Sequence, residues 1–493
     1  MRNNVLICTA MAITCCSTAL AQSSAKATVG AARAVIKKYA PKYTAPIMDE
    51  LCDKFKKNPE VAVGIADAYL YNQRDTAMAH RYLNIALSIN SKYSPAYLLG
   101  GEIEESAKDT AKAIGWYERG IHTDPAAPEC YLAYAKLISM KDPAKSQRKI
   151  EEVLTQNPDY SVNLELAKMY ERIGDNMEAD SEEQKEAYGK SIEFYGKCNL
   201  DYIPKAKLES FGIMLYANSK DYVKAIEVAK FGIKKYHPVN GSFNRLAMMA
   251  NFNLQRWSDV VLFGEALLKS DSTKISLDDY WNLARAYRNT QKYDKAISVS
   301  RQLTGNDSIS DEKKLPVYLL IAQCRKDMGD WASAKREYES YMQKKGELGT
   351  ITAYDLSEYA GMYLEQSKEL NGEEKLQAYK EADAIYKEMA DKFPNNIDFA
   401  LINRLVINSK IEQGDFDAGL AGPIAEQLIS VMLAKAERNT TDNARLVTAY
   451  NYMANYYLRK KKSDIKMSKA YFQKVLDIDP NDENARKAVT ILK

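Results

Sequence analysis

The chain has 493 residues, more than one compact core accommodates, so it is either several domains or an array that grows in one dimension. Its composition, 46% hydrophobic and 27% charged with a net charge of +3, lacks the basic excess of a nucleic-acid binder. Tyr is abundant (34, against 11 Phe and 4 Trp), while alternating β-branched runs and Asn-Gly turns are scarce, which predicts helix throughout.

The first stretch, MRNNVLICTAMAITCCSTALAQ, carries Arg2 and then an apolar run from Val5 to Ala21. It ends on Ala19-Leu20-Ala21, with small residues at the first and third places, so residues 1–21 read as a signal peptide cleaved after Ala21. The run is short for a membrane span of about 20 residues. Cys15 and Cys16 follow Ala12-Ile13-Thr14, a poor context for lipid attachment. These features predict export, to the periplasm or an outer-membrane-associated site, of a mature chain without a transmembrane span. Residues 22–58 include APIMDELCDKFKKNP and read as a lead-in with an incomplete repeat, a lone second helix.

From residue 59 onward one pattern recurs. Tyr280, Leu283, Ala284 and Tyr287 share a helical face, and Tyr293 and Ala296 follow on a second helix. Tyr318, Ile321 and Ala322 precede Trp331, Ala334, Tyr338 and Tyr341 in the same way, as Tyr97, Gly100 and Gly101 precede Ala113, Tyr117 and Gly120. Small residues belong where two helices come closest, and enlarging one costs about 1–3 kcal/mol by overpacking. Aromatic rings fill the holes beside them; Tyr in place of Phe suggests hydroxyls that reach a wet rim. Gly174-Asp175, Gly329-Asp330 and Gly414-Asp415 read as turns in which Gly ends one helix and Asp opens the next. Pro125, Pro158, Pro394 and Pro480 stop second helices, and Pro95 and Pro316 suit the first turn of the helix that follows.

Ala79 to Ala113 is a period of 34 residues and Pro125 to Pro158 one of 33. The pattern resembles the tetratricopeptide repeat (TPR), a 34-residue helix-turn-helix unit. The resemblance implies an all-α fold, an α-α superhelix: a solenoid of about ten repeats over 59–480, followed by a capping helix at 481–493. Candidate repeat starts fall near residues 60, 94, 127, 160, 206, 241, 277, 315, 353, 400 and 447. Two charged stretches, 176–188 and 365–382, lengthen their units and read as longer solvated helices or a protruding hairpin. Cys52, Cys130, Cys198 and Cys324 lie 68 residues or more apart. That places neighbouring ones about two or more units apart, beyond the ~7 Å reach of a disulfide. Cys198 reads as occupying a small-residue packing slot.

No constellation for catalysis emerges. His80, His122 and His237 have no metal partner four residues on, and YGKSIEF at 188–194 has Gln184 where a phosphate loop needs Gly. The expectation is a protein that is not an enzyme and takes no cofactor or metal.

In the TPR family the first helices form a concave groove that holds extended peptides or partner helices. The resemblance assigns that role here to Arg245, Trp281, Arg285, Arg288, Asn289, Gln323, Lys326, Arg404, Asn408, Asn451 and Asn455. The Arg404/Asn408 spacing, followed by Asn451 and Asn455, resembles half of a carboxylate-gripping pattern. Trp281 reads equally as a binding anchor or as a wedge between units. The function implied is a non-catalytic scaffold in the bacterial periplasm or cell envelope that binds protein partners, envelope or outer-membrane components, and no nucleic acid. The alternative is a glycan- or nutrient-binding TPR protein of an outer-membrane uptake system, as in Bacteroidetes-like bacteria.

Overall fold

The computed structural model describes residues 24–236, 241–270 and 275–492. The signal-peptide reading at 1–21 and His237 lie outside these residues. The described residues hold 25 α-helices and no strand, and none of these helices is long and apolar enough to cross a membrane. The chain divides into two compact units between Leu254 and Gln255.

The first unit contains α1 (Ala25–Lys38), α2 (Pro41–Lys54), α3 (Pro59–Ala68), α4 (Thr76–Ile89), α5 (Ser94–Ser106), α6 (Thr110–Thr123) and α7 (Glu129–Ile138). It continues with α8 (Pro143–Glu151), α9 (Val162–Asp175), α10 (Glu182–Gly196), α11 (Lys205–Ala217), α12 (Tyr222–Tyr236) and α13 (Ser242–Asn253). The second unit contains α14 (Trp257–Ser270), α15 (Leu277–Asn289), α16 (Tyr293–Thr304), α17 (Asp311–Asp327), α18 (Trp331–Glu347) and α19 (Ala353–Gln366). After these come α20 (Gly372–Lys392), α21 (Ile397–Glu412), α22 (Gly422–Leu433), α23 (Thr440–Arg459), α24 (Ile465–Ile478) and α25 (Glu483–Ile491).

Odd-numbered helices from α3 to α23 are the first helices of the expected repeats. All but one begin within four residues of the expected start; α23 begins at Thr440, seven residues early, where Asn439 and Asp442 form a reciprocal capping box. Residues 22–58 depart from the expectation of a lone second helix. Their described part forms two helices, and α1 packs on α3 and on the π-helical turn Tyr69–Gln73 that prolongs it. Gln73 anchors this turn by donating to the Tyr39 carbonyl at 2.7 Å.

Second helices open on a repeated turn. Asp75, Asp109, Asp142, Asp330 and Asp464 each accept a backbone N–H from the first turn of α4, α6, α8, α18 and α24. The residue before several of these aspartates is left-handed: Gly329 at φ +75°, but also Arg74 at 54° and Lys108 at 60°. Gly-Asp was thus too narrow a signal, since long side chains occupy the same geometry at a cost of about 1–2 kcal/mol. Gly174 is a correction of the opposite kind. It lies inside α9, and an added Cβ would come within 2.6 Å of the Tyr188 ring, so it serves close helix packing and not a turn. Pro316 is also internal, because α17 begins five residues earlier, at Asp311. Pro316 and Glu312 are both exposed, so water can satisfy the carbonyl that loses its helical donor. The stretch 176–188 makes no extra hairpin; a short loop leads into α10. The stretch 365–382 does lengthen a helix, the 21-residue α20.

The packing slots follow the sequence pattern. Leu283, Ala284, Tyr287 and Ala296 are buried in the second unit, as are Ala79, Ala113 and Tyr117 in the first. The tyrosine hydroxyls behave differently from the rim expectation. Tyr82, Tyr195, Tyr287, Tyr341 and Tyr452 donate to Asp49, Glu171, Glu265, Asp355 and Glu412 at 2.9, 2.7, 2.9, 2.6 and 2.8 Å. Tyr117 likewise donates to Glu105. Each bond joins neighbouring helices, which explains why Tyr is preferred to Phe: the ring fills the core and the hydroxyl ties a carboxylate on another helix. Burial, reinforced by the acceptor carboxylate, raises the Tyr117 and Tyr195 hydroxyls well above the ordinary phenol value. All four described cysteines are unpaired. Cys198 is half-buried in the turn after α10, outside any packing slot. At the end of the chain, Ala485 of α25 is buried in the core shared with α24.

Candidate interaction face of the first helices

The residues expected to line a groove fall on odd-numbered helices, but most are already engaged within the protein. On α15, Arg288 donates from Nη1 to Gln323 Oε1 of α17 at 2.7 Å and from Nε to Asp327 Oδ2 at 2.9 Å. On α17, Lys326 pairs with Glu365 of α19 at 3.0 Å. These bonds tie three successive first helices along their polar face. Arg288, Gln323 and Lys326 therefore brace the array, a role that the outward-facing expectation missed. Asn289 is exposed at the end of α15 and donates to the Arg285 carbonyl at 2.8 Å.

The half-clamp is corrected outright. Arg404 donates to both oxygens of Asp383 on α20 at 2.9 and 3.3 Å, and Asn408 donates to Asp383 Oδ1 at 2.7 Å. Asn408 is only 7% exposed. A carboxylate of the chain itself fills the place where a ligand carboxylate was expected. Asn455 donates to the Asn451 carbonyl at 2.8 Å, and both residues are half-buried. Arg245 lies on α13 of the first unit, half-buried and engaged.

Trp281 is half-buried, in keeping with the wedge expected of it. Its ring packs with Tyr280 against a small buried cluster of Leu303, Ile309 and Val317. The Arg285 guanidinium stands 5.9 Å from its centroid. The ring also lines a cleft of about 660 Å³ between the start of α15, the end of α16 and the first third of α17. Leu277, Pro316, Lys313 and Lys314 contribute to the same lining. The sequence reading missed this cleft because it began the helix at Pro316 and left Lys313 and Lys314 in a loop. The signal was present: Lys314, Val317 and Ile321 are spaced 3 and 4 apart, one helical face, and all three are buried.

One charged cluster elsewhere in the second unit is matched internally. Lys435 pairs with Asp398 at 2.7 Å and with Asp442 at 2.6 Å, and Arg445 reaches Asp398 at 2.7 Å. Burial opposes ionisation of Asp398, but the Lys435 hydrogen bond and the Arg445 charge outweigh it, so its carboxyl sits below the ordinary range. Asp442 is lowered mainly by the Lys435 hydrogen bond. Among the described residues no group of three or more His, Cys, Asp or Glu side chains could hold a metal ion. His80 meets Glu104 at 3.2 Å.

No family model matches the chain, and no curated protein matches it. Among solved structures it is similar to the C-terminal part of a TPR repeat-containing protein from Cytophaga hutchinsonii, at 20% identity and TM-score 0.43, over 57% of this chain and 99% of that one. It is also similar to yeast Tom70, at 15% identity and TM-score 0.28, over 91% and 95% of the two chains. A third likeness is to Naa15/Naa10 bound to HypK-THB, at 16% identity and TM-score 0.29, over 91% of this chain and 76% of that one. The paired helices of this chain, with small residues against tyrosine rings and first helices that begin 33 to 44 residues apart, have the tetratricopeptide architecture.

Proposed function

We propose that the protein is a non-catalytic scaffold that binds a protein partner on the polar face of its first helices. The observation that supports this reading most is the tie from Arg288 to Gln323 and Asp327 and from Lys326 to Glu365. It holds α15, α17 and α19 in fixed register, so a partner meets a preorganised wall and little ordering cost remains at binding. The open cleft beside Trp281 gives that wall a place for an anchoring side chain. We place the protein in the periplasm or cell envelope, on the strength of Arg2, the apolar run and Ala19-Leu20-Ala21; an envelope partner follows from that location.

The test is photo-cross-linking in cells from positions 289 and 451 on first helices, against positions 336 and 474 on second helices. One protein species joined from the first pair and not from the second is the expected result. Equal cross-linking from all four positions, or none from any, removes the reading. The N-terminal residue of the cellular protein, expected to be Gln22, tests the location separately.

A further inference from the structure

We propose that the cleft beside Trp281 binds an internal segment of a partner polypeptide in which a large apolar side chain neighbours an acidic residue. The inference rests on the protein-binding reading above and narrows it to one place and one chemistry.

The volume of about 660 Å³ lies within the range of roughly 300–1,000 Å³ usual for ligand sites. Its walls are mainly apolar: the Trp281 ring, with Leu303, Ile309 and Val317 behind it. Lys314 also lines the cleft. It is only 7% exposed, and its ammonium has no hydrogen bond or ion pair with any described residue. That sets it apart from Lys345 and Lys435, which meet Asp355 and Asp398 at 2.5 and 2.7 Å. The stem is covered, but the ammonium still touches the water of the cleft; a ligand that displaces this water leaves the cation unmatched unless it brings a carboxylate of its own. Asp278 lines the cleft too, but it belongs to the first turn of α15, whose backbone amides already favour its charge. Lys313 and Lys314 against Asp278 leave the lining at a net +1. The complementary ligand is therefore apolar with one negative charge close by. The walls offer too few hydrogen-bonding groups for an acidic sugar, which favours a peptide segment.

Calorimetry and tryptophan fluorescence on the full chain test this with two acetylated, amidated peptides, Leu-Glu-Phe-Leu and Leu-Gln-Phe-Leu. The acidic peptide is expected to bind about tenfold or more tighter. Lys314→Met should erase that preference while the neutral peptide binds as before, and Trp281→Ala should weaken both. Equal affinity of the two peptides for the unsubstituted protein, or a preference that survives Lys314→Met in a protein of unchanged melting curve, overturns the proposal. If Lys314→Met does not fold, ionic strength decides: the preference must shrink with salt, and a salt-independent one overturns it. Two further probes name the rival occupants. Tighter binding of Leu-Gln-Phe-Leu with a free C-terminal carboxylate, or of oligoglucuronate, also overturns it. If cross-linking finds no partner while the peptide preference holds, the scaffold reading alone fails; the converse result removes the cleft alone.

Discussion

Replacing Gly101 by Ala isolates the packing rule on which the repeats depend. A Cβ at this position would stand 2.1 Å from Cε1 of Tyr117, where ordinary contact needs about 3.5–4.0 Å. The ring cannot swing aside, because Tyr117 is 0% exposed and its hydroxyl is bonded to Glu105. Overpacking of this kind costs about 1–3 kcal/mol, with the pinned ring favouring the upper end. Against it stands the helix preference for Ala over Gly, about 1 kcal/mol. The expected net effect is a loss of roughly 1–2 kcal/mol. Gly115, on α6, is the internal control, since nothing lies within 4 Å of its added Cβ; Gly115→Ala should gain about 0.5–1 kcal/mol from the same preference. Long repeat arrays unfold in stages, so one global midpoint averages over unaffected units. Amide hydrogen exchange over α5 and α6 reads the local change directly. If Gly101→Ala protects these amides as well as Gly115→Ala does, close approach is not what selects glycine here.

Other outcomes follow from the turns, the charged cluster and the thiols. Lys108→Gly should stabilise the α5–α6 turn by about 0.5–1 kcal/mol, because the left-handed strain removed exceeds the added unfolded-state entropy; hydrogen exchange at Asp109 and Lys112 would register it. Asp398 and Asp442 have folded values below the ordinary carboxylate range. Their contribution is complete above the unfolded value of about 3.9 and is lost as pH falls below it through the depressed folded values. Asp398→Asn should accordingly flatten the acid side of a plot of melting temperature against pH, between about pH 4 and 2. Burial pushes the thiols of Cys52 and Cys324 up to about 12 and that of Cys130 up to about 11. Thiol labelling at pH 8, followed by peptide mass mapping, should mark half-buried Cys198 first; rapid labelling of Cys130 in the folded protein would contradict the burial assigned to it.

Positions set by local periodicity were readable in the sequence, whereas positions set by a partner far along the chain were not. Leu283, Ala284, Tyr287 and Ala296 announce their burial by spacings of three and four, and the structure buries them. Gly174 and Gly329 look identical as Gly-Asp pairs. Only the nearness of Tyr188 to one, and the φ of +75° at the other, separates a packing glycine from a turn glycine. Arg288, Arg404 and Asn408 sit on the expected helices, but their acceptors Asp327 and Asp383 lie 39, 21 and 25 residues away. Nothing in a single helix shows whether a polar side chain points to water or is matched by its neighbour. Pro316 hid Lys314 by marking a boundary that the chain runs through.

Asp383 has a consequence for what reaches the Arg404 end of the array. A tethered acid behaves as a resident competitor with an effective concentration of the order of millimolar or more. A free acidic tail at micromolar abundance would have to evict it and also strand it beside its former partners. This stretch is thereby silent toward such tails, its cation already spoken for by an acid of the same chain.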